Sequence, residues 1–104
     1  MPKSEKITLG GLEFDLLPCP AIGLKVIGRN FAMIGSSNEA GIDALTDGIY
    51  YGVKRGLPKG DTQFTREFCE WNIDATNIEP LMQAFAAVNN ATQGDATGEA
   101  PAAS

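Results

Sequence analysis

The stretch Lys6-Ile7-Thr8-Leu9-Gly10-Gly11-Leu12-Glu13-Phe14-Asp15-Leu16 decides how the fold begins. Apolar and polar residues alternate on both sides of a double glycine, which is the period of a half-buried strand. Two glycines supply the positive φ angles that a two-residue hairpin turn requires. The pattern predicts an antiparallel hairpin with Ile7, Leu9, Leu12, Phe14 and Leu16 on one face. Pro18 and Pro20 end the second strand, because proline has no N–H to give to the ladder.

Beyond the hairpin the apolar period changes to that of a helix. Pro20 suits the first turn of a helix over residues 20–34. Leu24, Ile27, Phe31 and Ile34 form one stripe on it. Ile22, Val26 and Met33 form a second, about 120° away. Lys25 and Arg29 mark a narrow polar edge between them. Two readings of the second stripe stand side by side. It is either the far side of a central core helix or a surface that meets a partner, since a chain of 104 residues has little to cover so wide an arc. On the second reading Ile22, Val26 and Met33 are candidate partner-binding residues.

Ser36-Ser37-Asn38-Glu39 reads as a capping box for a helix over residues 36–55, with Gly56 just past its end and Pro58 blocking continuation. Ile42, Leu45, Ile49 and Val53 are its core stripe. Tyr51 points away from that stripe and is a fourth candidate for partner contact. Asp43 and Asp47, at i and i+4, read as a solvated face. Gly41, Gly48 and Gly52 fall on one side. Each glycine costs about 1 kcal/mol relative to alanine in a helix, so three together imply a closely packed backbone.

Phe64, Phe68 and Trp71 recur at i, i+4 and i+7 around a short helix over residues 65–71, which reads as core. Thr76-Asn77-Ile78-Glu79 is a second capping box, opening a last helix with Ile78, Leu81, Met82, Phe85 and Val88. After Thr92 nothing is left to bury. The expectation is one domain over residues 1–91 and a disordered tail over residues 92–104. The fold class is mainly α (α+β): an N-terminal β-hairpin and about four short helices. Leu24, Phe31, Leu45, Ile49, Phe68, Trp71 and Phe85 are its expected core.

Chemistry is sparse. The chain has no histidine, so His-based triads and most zinc and haem sites have no starting residue. Neither a Walker spacing nor GxGxxG occurs. Asn72, Asp74, Thr76 and Glu79 lack the spacing and central glycine of a calcium loop, and helix capping accounts for them better. Cys19 and Cys69 read as small apolar core residues of a reducing compartment. No cofactor and no enzymatic activity are expected. Thirteen acidic residues against eight basic give a net charge of -5, which disfavours a nucleic-acid partner. No apolar run approaches a membrane span or a signal h-region, so a cytoplasmic location is expected.

The order of these pieces resembles a known family. Residues 7–20, Ile7-Thr8-Leu9-Gly10-Gly11-Leu12-Glu13-Phe14-Asp15-Leu16-Leu17-Pro18-Cys19-Pro20, look like the opening of the small tail assembly chaperones of long-tailed bacteriophages. The similarity continues with a middle helix bearing Asp47, Tyr50 and Tyr51, a Thr-initiated short helix, an Asp-x-x-Asn element (Asp74 and Asn77), a final apolar helix and a low-complexity C-terminus. One departure is Ile22-Gly23, where many relatives have a basic or polar residue. The resemblance implies a non-enzymatic protein of the host cytoplasm. It would bind the phage tape measure protein and help recruit tail-tube subunits, and it leaves a homo-oligomer open. Two other readings compete: a small virion structural protein (connector or tail-completion subunit), and an acidic host-directed binding module.

Overall fold

The computed structural model describes residues 4–36 and 38–89. Strands β1 (Glu5–Leu9) and β2 (Leu12–Leu16) pair antiparallel, with Ile7 opposite Phe14 and Leu9 opposite Leu12. Gly10 and Gly11 connect them at φ 59° and 78°, a primed turn whose twist matches the strands. Among the described residues, four α-helices follow: α1 (Ala21–Ile27), α2 (Glu39–Lys54), α3 (Arg66–Asn72) and α4 (Ile78–Asn89), with a 3-10 segment (Gly28–Met33) between the first two. The fold is therefore mainly helical with an N-terminal hairpin. The expected tail, residues 92–104, and the domain boundary at residue 91 lie outside the described residues.

Helix α2 is the centre on which the rest is laid. Helices α1, α3 and α4, the 3-10 segment and β2 all pack against it. Its three glycines are where they come closest. A Cβ on Gly48 would collide with the Phe85 ring of α4, and one on Gly41 with the backbone oxygens of Met33 and Ser36. A Cβ on Gly52 would stand 2.6 Å from Leu16 Cδ1 and from the Leu17 carbonyl. The close packing expected from these glycines is present, and it compensates their poor helix propensity. Leu45, Ile49 and Val53 are fully buried there, joined by Leu9, Leu16, Phe85 and Val88.

Several expectations need correction. The first helix does not run to residue 34. Gly28 takes φ 58°, ψ -137° and donates its N–H to the Leu24 carbonyl, which ends α1 one turn after Lys25. Leu24 is consequently exposed while Ile27 is buried and Phe31 half-buried. Nor does the second helix start at a Ser36/Glu39 box. Asn38 is its cap, its Oδ1 accepting the Gly41 N–H at 2.8 Å. Ile42 is exposed and so not part of the core stripe.

The aromatic stripe fails at its far end. Trp71 is 81% exposed. Phe64 precedes the α3 cap, Thr65, whose Oγ1 accepts the Phe68 N–H, so a helical count that starts at Phe64 begins outside the helix. Helix α3 docks instead through Cys69, which is fully buried. The turn before α4 is held not by a Thr76/Glu79 box but by Asp74 and Asn77. Asp74 accepts from the Thr76 N–H and hydroxyl, and Asn77 accepts from the Asp74 N–H and donates to the Asn72 carbonyl. The bonds from the Thr76 hydroxyl and N–H hold the Asp74 carboxyl below its usual value.

Candidate functional site

Helix α1 is short and lies close against α2 along one side. Gly23 and Ile27, one turn apart, are its buried residues. A Cβ on Gly23 would meet Tyr51 Cβ at 2.8 Å and Cys19 Sγ at 2.5 Å, so only glycine lets the two helices approach this closely. The geometry leaves the remaining apolar side chains outside. Ile22 and Val26 are 62% and 53% exposed and lie at i and i+4, hence on one face. Lys25, on the same helix, and Arg29, just past the Gly28 break, are exposed as well.

The four candidates from the sequence do not form one surface. Ile22 and Val26 stand together. Met33 lies beyond the Gly28 break on the 3-10 segment and is half-buried, its carbonyl accepting the Ser36 N–H. Tyr51 is half-buried beneath Gly23, and its ring meets Tyr50 edge-on at 4.9 Å between centroids. Tyr50 in turn stacks on Phe64, with centroids 5.8 Å apart and planes 7° from parallel.

Phe64 belongs to a second apolar surface that the sequence did not reveal. Leu12 and Phe14 of the hairpin, Leu57, Phe64 and Phe68 line a groove of about 280 Å³, with Asp61 and Gln63 at its polar side. Phe14 contacts both Phe64 and Phe68, at 4.9 and 6.1 Å between ring centroids. Asp61 is committed to the loop, its Oδ2 accepting the Phe64 N–H. Exposed Trp71 lies on the same helix as Phe68, one turn further along. A second cleft, of about 370 Å³, lies between the 3-10 segment and α4 and is lined by Phe31, Ile34, Met82 and Phe85.

The polar chemistry is structural. Asp43 and Asp47 are not a solvated pair: Asp47 is buried and bonded by Arg66 Nε at 2.5 Å. Arg66 also holds Glu70 at 2.5 Å and approaches Asp43 at 3.6 Å. The hydrogen bond that Arg66 donates to Asp47 raises the Arg66 pKa further, so this group stays charged. Burial pushes the Cys19 thiol up to about 11 and the Cys69 thiol up to about 12, which keeps both protonated and poorly nucleophilic. Among the described residues no group of three or more Cys, Asp or Glu could hold a metal ion, and no helix is long and apolar enough to cross a membrane. What these surfaces offer a partner is apolar contact. No family model, curated protein or solved structure matches the chain.

Proposed function

We propose that this protein is a non-enzymatic phage tail assembly chaperone that binds the tape measure protein in the host cytoplasm and helps recruit tail-tube subunits. One observation carries the binding role: Ile22 and Val26 stand exposed side by side on a helix that packs on α2 through its opposite side, where Gly23 and Ile27 are buried. Isolated exposed apolar residues are ordinary, but two aligned on one turn make an anchor for a client helix. The identity of the client rests on the family-like layout of residues 6–90. The groove of Leu12, Phe14 and Phe68 supplies a separate apolar surface, as a protein with two successive clients requires. An acidic nucleic-acid mimic is supported less well, since Asp15, Asp47 and Glu70 are engaged in ion pairs rather than arrayed for a partner.

The test is co-expression with the tape measure protein of the same genome. Ile22→Asp with Val26→Asp abolishes co-purification on this reading, because docking would bury two unpaired charges, while the circular dichroism spectrum stays that of the parent. Retained co-purification by a folded double variant rules out α1 as the client surface. Stoichiometric copies of the parent in purified virions would instead favour the connector or tail-completion reading.

A further inference from the structure

Charge is distributed very unevenly over this acidic chain. No carboxylate side chain occurs between Asp15 and Glu39, whereas Lys25 and Arg29 both fall in that interval. Arg55 joins them from the end of α2, its Nη1 donating to the Pro18 carbonyl at 2.8 Å just ahead of α1. Among the described residues none of these three cations has a carboxylate within ion-pair distance, while Lys6 and Arg66 do. Lys25 follows Ile22 by three residues on α1 and so lies beside the exposed pair, and Arg29 comes just past the Gly28 break that ends the helix. The exposed apolar pair is therefore bordered by unpaired positive charge on a molecule whose net charge is -5.

From this we propose that the segment held by α1 is an acidic amphipathic helix, with aliphatic residues at i and i+4 that meet Ile22 and Val26 and carboxylates that meet Lys25 and Arg29. The proposal rests on α1 being the client surface. It adds that charge, and not apolar area alone, selects the segment. A surface offering two apolar side chains is small, so complementary charge at its rim governs encounter rate and register and penalises like-charged segments. The net charge of -5 repels an acidic client at long range, and the cations beside α1 offset that repulsion locally, which helps direct the encounter. A lipid surface fits less well, because anchoring to it scales with apolar area and α1 has only seven residues.

The experiment uses the full chain and two synthetic amphipathic peptides with the same leucine stripe, one flanked by glutamates and the other by lysines. Fluorescence anisotropy should show the glutamate peptide binding about tenfold more tightly in low salt, with the preference shrinking as salt is added. Lys25→Glu with Arg29→Glu, both exposed and remote from the core, should reverse the preference. Val26→Asp should remove binding of both peptides. Equal affinity for the two peptides, lost together on Val26→Asp, overturns the charge selection and leaves α1 as the client surface. No binding of either peptide, with co-purification of the tape measure protein surviving Ile22→Asp/Val26→Asp, overturns both. Binding of phosphatidylserine vesicles in place of the glutamate peptide also overturns the proposal and gives the face to a membrane.

Discussion

Helices α1 and α2 are both rich in glycine and aliphatic residues, yet they end in opposite situations. Nine of the sixteen residues of α2 are buried, against two of the seven of α1. The difference is the number of neighbours. Helix α2 has α1, α3, α4, the 3-10 segment and β2 around it, so each glycine becomes a point of close approach. Helix α1 has one glycine contact with α2, and Gly28 stops it before it can reach another partner. Apolar content therefore says what a helix is able to bury, and topology says what it does bury.

The contrast is testable, starting where the loss should be greatest. Phe85→Ala removes the ring that lies on Gly48 and should cost about 3–5 kcal/mol in urea unfolding. A near-parent midpoint would show that α2 is not the packed centre. Arg66→Ala leaves Asp47 buried without its cation. Because Arg66 keeps a third of its side chain in solvent, the expected loss is about 3 kcal/mol, at the low end for a buried pair. Gly41→Ala drives a methyl group into backbone oxygens that cannot rotate away, and should cost about 2 kcal/mol.

Smaller effects sharpen the comparison. Both thiols have folded-state pKa values above the usual 9.0, so their contribution to stability is complete below pH 9 and is lost as pH rises toward about 11 for Cys19 and about 12 for Cys69. Unfolding midpoints should decline over that window, and thiol labelling at pH 8 should proceed only as fast as the protein opens. At the bottom of the scale, Trp71→Ala should change stability by about 0.5 kcal/mol or less and Val26→Ser by little more, because Trp71 is 81% exposed and Val26 is more than half exposed. A loss comparable to Phe85→Ala in either would erase the distinction between packed and exposed helices.

How much of this was legible depends on how local the signal is. The hairpin needs only alternation and Gly10-Gly11, all within twelve residues of sequence, and it was legible in full. The tight side of α2 was legible from its three glycines. The end of α1 had a local mark, Gly28 after Lys25, but a continuous apolar period across it outweighed the glycine in the reading. Asp47 was read as solvated because its partner Arg66 lies nineteen residues away, and nothing in the local pattern pairs them. The same limit governs the candidate site. Ile22 and Val26 stand together because both lie within α1 at i and i+4, Met33 is separated from them by the Gly28 break, and Tyr51 is partly covered by α1. The groove of Leu12, Phe14, Leu57 and Phe68 draws on three separate segments and had no signature along the chain.

The hairpin and α4 meet across almost the whole described chain. Helix α4 packs against β1 and β2, and the Cys19 N–H donates to Asn89 Oδ1 at 2.8 Å over a separation of 70 residues. On the ribosome the hairpin emerges before α4, and its buried side, Ile7, Leu9 and Leu16, has to wait for that helix to be synthesised. Nucleation by local contacts in α2 can occur early, but closing the N- and C-terminal elements on each other must come last and limits the folding rate. During that interval the nascent chain displays an uncovered apolar strand pair, so a synthesis pause before residue 78 would expose it to proteases and chaperones.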